Sequence, residues 1–207
     1  MTEDEARGVI GERFGAEKTE RIAAFLSLVA EENARQNLIA PSTVDTIWSR
    51  HGLDSAQLMF HVEQSHSAGA WLDIGTGGGF PGVVVAILHH GPVTMVEPRK
   101  KRAVFLQDCV SRLGLQGASV LTSKVETVSG KFAIISARAV ASVEKLLQAA
   151  DHCATPDTRW VLPRGRIEAE QLISLRRDRS QLFHVEQSLT DPESSILIVD
   201  RNRGRTR

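Results

Sequence analysis

Residues 72–82 read Leu-Asp-Ile-Gly-Thr-Gly-Gly-Gly-Phe-Pro-Gly, placing Asp73 two residues ahead of the first of five closely spaced glycines. Glycines packed this densely let a ligand come close to the backbone. A phosphate-cradling loop requires Lys followed by Ser or Thr after its last glycine, whereas Gly82 is followed by Val83. A dinucleotide fingerprint, GxGxxG, fits Gly77, Gly79 and Gly82 formally, but Phe80-Pro81 is unusual inside it. A pyrophosphate would bring about two negative charges beside Asp73, a repulsive arrangement. S-adenosylmethionine (SAM) has no phosphate and carries a sulfonium and an ammonium, which an acid favours. The run hydrophobic-Asp-x-Gly-x-Gly-x-Gly resembles the pattern of SAM-dependent methyltransferases, so Asp73, Gly75, Gly77 and Gly79 are expected at the cofactor. Glu97, 20 residues after Gly77, supplies an acid where ribose hydroxyls need an acceptor. It serves either cofactor, so an NAD-binding oxidoreductase stays open as the alternative on these residues.

Such a loop needs a strand before it and a helix after it. From Ala70 onward, "AWLDI", "VTMVE", "ASVLT", "FAIIS" and "RWVLP" are short apolar runs that predict strands buried on both faces. Helical spacing falls between them: Leu106, Cys109, Val110 and Leu113, with Pro98 in the first turn, and then Val143, Leu146, Leu147 and Ala150. Alternation of this kind predicts an α/β, doubly wound, mostly parallel Rossmann-like sheet. The tail predicts an antiparallel hairpin turning at Asp191-Pro192. Before the sheet, Ile22, Phe25, Leu26 and Val29 mark a helix, followed by a break at Pro41, a further helix and a short one from about Leu53. The expected organisation is one unit: a helical extension over 1–68, a SAM-dependent methyltransferase domain over 69–201, and a basic tail over 202–207.

The 207 residues suffice to bury a core without disulfides, and Cys109 and Cys153 read as reduced thiols, which points to the cytoplasm. The acidic start "MTEDEARGVI" lacks a secretion signal's apolar centre, and no apolar run approaches the length that spans a bilayer. Histidines show no metal-ligand spacing, so no metal is expected. With 25 basic and 25 acidic residues, any surface for nucleic acid has to be local. "FHVEQS" occurs at 60–65 and 183–188 with unlike flanks, so it is no structural repeat. Phe-His-Val-Glu can be written TTC CAC GTG GAA, a DNA palindrome, which would place the constraint in the gene. Codons that break it in both copies would refute this.

Taken together, "NLIA" at 37–40, "RHGLDS" at 50–55, "DIGTGGGFPG" at 73–82, "EPRKKRAVFL" at 97–106 and "SARAV" at 136–140 carry a closer likeness. From about Asn37 to Val199 the chain resembles the bacterial 16S ribosomal RNA guanine-N7 methyltransferases, the RsmG or glucose-inhibited division protein B family. The resemblance implies transfer of a methyl group from SAM to N7 of the guanine at position 527 of 16S RNA in the small subunit. It also implies cofactor contacts from Gly75, Phe80, Val125, Glu126 and Arg138. Where the family commonly has Lys-Gly after the fifth strand, this chain has Arg164-Gly165. Arginine keeps the charge but presents a planar fork. Other readings kept open are a SAM-dependent methyltransferase for another RNA or a small molecule, and a module that binds SAM or RNA without turnover.

Guanine N7 has a free lone pair at neutral pH, so the transfer demands orientation and no general base. Arg138 and Arg164 are accordingly expected as positioning residues, with Asn37, Arg50 and His51 approaching from the N-terminal helices. RNA grip is expected from Arg99 to Arg102, Arg164 and Arg166, Arg176 to Arg179, and the arginine tail. A monomer is expected.

Overall fold

The computed structural model describes residues 1–62, 66, 68–138, 142–167, 169–175 and 180–201, with backbone alone at 169, 172 and 174. Helix α1 (Glu3–Phe14) starts at a capping box in which Thr2 and Glu5 satisfy each other's backbone N–H groups. Helix α2 (Ala16–Gln36) buries Ile22, Phe25, Leu26 and Val29 as their spacing requires. It stops at Asn37, whose left-handed φ of 48° breaks the helical course. The Asn33 side chain then accepts the Ile39 N–H and holds the exit path.

Between Pro41 and His61 the chain differs from the two regular helices expected. It forms a 3-10 turn (Pro41–Thr43), a π-helical turn (Trp48–Leu53), a single α turn, α3 (Asp54–Ala56), and another 3-10 turn (Gln57–His61). Long-range partners impose this irregular winding. The Glu3 carboxylate accepts Trp48 N–H at 2.7 Å, Ser49 N–H at 3.0 Å and the Ser49 hydroxyl at 2.7 Å. Gly52 lies against Leu26, where a Cβ would sit 3.5 Å from its side chain.

Seven strands form one sheet: β1 (Trp71–Ile74), β2 (Val93–Val96), β3 (Ala118–Leu121), β4 (Ile134–Ala137), β5 (Arg159–Arg164), β6 (Gln181–Gln187) and β7 (Ser195–Arg201). Their order is β3-β2-β1-β4-β5-β7-β6, with the first five parallel and β7 antiparallel to β5 and β6. Helices α4 (Gly82–Leu88), α5 (Lys100–Arg112), α6 (Val143–Ala150) and α7 (Ala169–Leu175) connect the strands. The order in which successive strands are added reverses between β1 and β4, the switch point where open α/β sheets leave a ligand crevice beyond the strands' carboxyl ends. Two apolar clusters hold the sheet. One joins α2 and α4 through Phe25, Val83 and Leu88; the other packs Leu72, Ile135, Leu146 and Leu197.

Several local expectations change. Pro98 lies ahead of α5, whose N-cap is the extended residue Arg99, so the proline directs the approach to the helix and not its first turn. Strand β3 is an edge, and its residues alternate between half-buried and exposed. Helix α7 carried no periodicity long enough to announce it. The two copies of "FHVEQS" take unlike backbones: Phe60 and His61 close a 3-10 turn, while Phe183 to Gln187 form most of β6. Residues 63–65 of the first copy, Arg176 to Arg179 and 202–207 lie outside the described residues. Cys109 and Cys153 are free and buried, and burial pushes the Cys109 thiol up to about 12. Among the described residues no helix is long and apolar enough to cross a membrane.

Candidate active site

Strand β1 delivers the glycine loop to the carboxyl edge of the sheet. Gly75 and Gly77 have φ values of 69° and 61°, which a side chain disfavours, and both keep exposed surface. The next glycines serve packing. A Cβ on Gly78 would meet Leu38 at 3.0 Å, and one on Gly79 would meet the Phe25 ring at 2.5 Å. At Gly82 it would meet Asp73 Oδ2 at 2.7 Å and Met95 at 2.8 Å. The loop is thus open at Gly75 and Gly77 and clasped at Gly78 and Gly79 by α2 and the "NLIA" segment. Gly79, expected at the cofactor, presents its missing side chain to Phe25.

Asp73 is fully buried beneath this loop. In-register pairing of β1 with β4 sets Asp73 opposite Ser136, whose hydroxyl donates to Asp73 Oδ1 at 2.6 Å. That hydroxyl accepts from Trp71 Nε1 at 2.8 Å. Oδ2 faces the Gly82 amide without closing a hydrogen bond of good geometry. Burial pushes the Asp73 carboxyl up to about 6, against the opposing hydrogen bonds from Ser136 and Thr76 and the charge of Arg138. The expected direct contact therefore has no exposed carboxylate surface to make it.

Glu97 ends β2, buried at the crevice. Its Oε2 accepts Gly77 N–H at 2.9 Å and its Oε1 accepts Arg99 N–H at 2.8 Å. Each oxygen retains acceptor capacity, so the same carboxylate can hold the loop and receive a diol. Val125 packs inward in a 3-10 turn after β3, and Glu126 beside it is exposed. Arg102 points back at the loop: Nη2 reaches Asn37 O at 3.4 Å, and Nη1 would lie 3.5 Å from a Cβ on Gly77. It braces the crevice, a position different from the surface grip expected of 99–102.

Arg138 leaves β4 and is held from several sides. Nη1 lies 3.2 Å from Asp54 Oδ2, Nη2 lies 3.2 Å from His51 Nδ1, and Cζ is 5.3 Å from the Phe80 ring centroid. His51 also stacks on Phe80 at 4.9 Å, and its Nε2 is 2.8 Å from Thr43 Oγ1. Burial, reinforced by Arg138 and Arg50, lowers the His51 pKa to about 3, so the ring is neutral near pH 7. Arg138 can then donate to Nδ1 while Nε2–H donates to Thr43.

The β6–β7 turn closes the far side. Arg50 pairs with Asp191 at 2.6 Å, and Gln57 bonds Ser188 Oγ and Leu189 N–H. Thr190 Oγ1 reaches Asp54 Oδ1 at 3.2 Å. Of these, Arg50, Asp54 and Thr190 line a cavity of about 370 Å³, together with His51, Arg138 and Arg164 among others. Arg164, at the end of β5, also borders a second cavity of about 280 Å³ with Arg166 and Ser142. Partial burial lowers the Arg164 pKa from its ordinary value. The structure brings His51, Phe80, Arg138 and Arg164 to one crevice and leaves Glu126 exposed beyond the edge strand. Asp54, Thr190 and Glu3 were missed as site-forming residues; the "RHGLDS" likeness contained Asp54, but nothing local marked the other two.

Comparison with known proteins places the chain in a family. The GidB family model, described as rRNA small subunit methyltransferase G, matches residues 18–195. Ribosomal RNA small subunit methyltransferase G of Erythrobacter litoralis is 44% identical over 207 residues, covering 99% of both chains. The protein of the same name from Novosphingobium aromaticivorans is 44% identical over 180 residues, 86% of this chain and 78% of the other. Among solved structures, the ribosomal protein L11 methylase of Lactobacillus delbrueckii subsp. bulgaricus superposes with a TM-score of 0.60 at 15% identity, covering 73% and 79% of the two chains. A structure of MtNAS in complex with S-adenosylmethionine superposes with a TM-score of 0.58 at 13% identity, covering 86% and 72%. At such identities the likeness shows a shared methyltransferase-type fold.

Proposed function

The chain belongs to the GidB family of ribosomal RNA small subunit methyltransferases G, and from that premise we propose that it transfers a methyl group from SAM to N7 of a guanine in 16S ribosomal RNA. The working form is a cytoplasmic monomer acting on the small subunit. The observation that carries this reading is the placement of Arg138. It stands at the sheet's switch point, braced by Phe80 of the glycine loop and by His51 and Asp54, and it borders a cavity lined by further arginines.

The residues fit SAM. Gly75 and Gly77 offer open backbone at left-handed φ, Glu97 retains acceptor capacity, and the Oδ2 of Asp73 carries unmet negative potential under the loop. When bound, SAM supplies an electrophilic methyl group on a sulfonium. Glu97 would receive the ribose hydroxyls, the Gly75–Gly77 backbone would let the cofactor approach, and Val125 and Glu126 would lie toward the adenine. Arg138 would orient the base, and Arg164 would hold it or its phosphate. No chain residue has to remove a proton, because the attacking nitrogen carries none. The arginine-lined wall bears the cationic side chains an RNA backbone needs, despite a net charge of zero. Thr43, Arg50, His51 and Asp54 of the helical extension would form one wall of this substrate site.

Transfer of labelled methyl from SAM to small subunits from a strain lacking the protein tests the reading. Chemical strand scission at N7-methylguanosine should then map a single new site. No transfer, or transfer to another atom, would refute it.

A further inference from the structure

Among the described residues Asp54 is the one carboxylate that lines the cavity; it forms with Arg138 a side-by-side acceptor and donor, and we infer that this pair reads the target base. Asp54 accepts from N1–H and the 2-amino group of guanine while Arg138 donates to O6. The inference rests on the guanine-N7 transfer proposed above and adds how guanine is chosen.

Double-stranded RNA keeps N7 in a deep, narrow groove that side chains cannot enter, so the base has to leave its stack to be methylated. An extruded guanine has lost its pairing partner and carries N1–H and 2-amino donors that cost free energy if left unmet. Going round the ring from N7, the polar atoms are O6, an acceptor, then N1–H and the amino group, both donors. Since N7 has to stay bare, a cation can serve this edge only at O6. A complementary wall therefore offers a donor nearest the cofactor and an acceptor beyond it.

The crevice has that order. Arg138 makes the contact with Phe80 of the glycine loop, and Asp54 follows beside it. Their 3.2 Å separation exceeds the roughly 2.7–2.9 Å of a tight charge-assisted bond. Asp54 Oδ1 is met by Gln57 Nε2 at 3.0 Å and Thr190 Oγ1 at 3.2 Å. A carboxylate offers about four lone-pair sites, so acceptor capacity remains. Both side chains keep exposed surface, 22% for Arg138 and 16% for Asp54. Arg138 cannot turn freely to follow another base, because neutral His51, itself bonded to Thr43, fixes its second nitrogen. Adenine presents the reverse pattern: its amino group would face Arg138 and its N1 lone pair would face the carboxylate. Both contacts are then repulsive, which is discrimination by mismatch as well as by fit.

Inosine tests the inference, since it keeps N7, O6 and N1–H but lacks the 2-amino group. Small subunits reconstituted with guanine or inosine at the target are compared by kcat/KM. The wild type is expected to favour guanine by about ten- to hundredfold, the worth of a hydrogen bond to a charged acceptor. Asp54→Ala should lose most on guanine and bring the ratio close to one, with SAM affinity, measured by calorimetry, unchanged. If that variant fails to bind SAM, Asp54→Asn provides the same ratio and is expected to narrow it. Equal use of both bases by the wild type would overturn the inference. So would an equal loss on both bases in a folded Asp54 variant, the result expected if Asp54 only supports Arg138. Failure of the wild type to methylate guanine subunits would refute the reaction itself, and this inference with it.

Discussion

Asp73 and Glu97 lie near the same loop and do different work. Glu97 meets the backbone at the crevice, while Asp73 is sealed beneath it with one oxygen on Ser136. Burial raises the Asp73 pKa from 3.8 to about 6, so folding favours its protonated form. The stability cost of the ionised carboxylate is therefore present above about pH 6 and relieved as the pH falls from there toward 3.8. Affinity for a cationic cofactor has the opposite sign, because it is strongest with the carboxylate ionised. SAM affinity should thus weaken as the pH drops through about 6, and Asp73→Asn should bind more weakly above that pH and show a flatter profile. Calorimetric titration across that range checks this; an unchanged slope in the variant would assign the dependence elsewhere. The importance of Asp73 was legible in its place before the glycines. Its burial was not, because Ser136, 63 residues on, decides where the carboxylate points.

Among the elements, α2 shapes the glycine loop as much as any ligand would. The Phe25 ring fills the space beside Gly79, and Leu38 covers Gly78. Gly79→Ala would force a side chain at φ +101° and into that ring. The expected loss is about 2–5 kcal/mol, combining backbone strain with overpacking. Adding Phe25→Leu should recover the steric part but not the strain, as a urea-denaturation cycle would show. Full additivity of the two changes would mean that ring and loop do not couple. Glu3 works similarly at longer range. A residue in an acidic N-terminal stretch caps the turn that carries Arg50 and His51 and leads into Asp54. Local spacing identified α2 as a buried helix, but it held no sign of the partner that makes residues 48–56 a site wall.

For the whole molecule, the proposed reaction requires a neutral chain to gather positive charge where RNA would arrive. The sheet order does this by bringing the ends of β4 and β5 together, so that Arg138 and Arg164 share one cavity, while Arg166 enters the next. Binding of small subunits should weaken linearly in the logarithm of salt concentration. Arg166→Gln should reduce the magnitude of that slope by about one or less, with little effect on SAM affinity. Filter binding at several salt concentrations measures it, and an unchanged slope would remove Arg166 from the phosphate contacts.

The sequence by itself determined the class of fold, the succession of sheet strands along the chain with α5 and α6 between them, and the cofactor chemistry. Each of these depends on neighbours within a few residues: apolar runs for strands, 3.6-residue spacing for helices, and an acid ahead of glycines for a cationic ligand. Tertiary structure alone decided which glycines face the crevice and which face Phe25 and Leu38. It likewise decided that Asp73 is sealed and that His51 is held neutral beside Arg138. It also brought Asp54, Arg138 and Thr190 together. The physical reason is sequence distance: Asp54 and Arg138 are 84 residues apart and Asp54 and Thr190 are 136. Their contact is set by sheet order and burial, which no local pattern records.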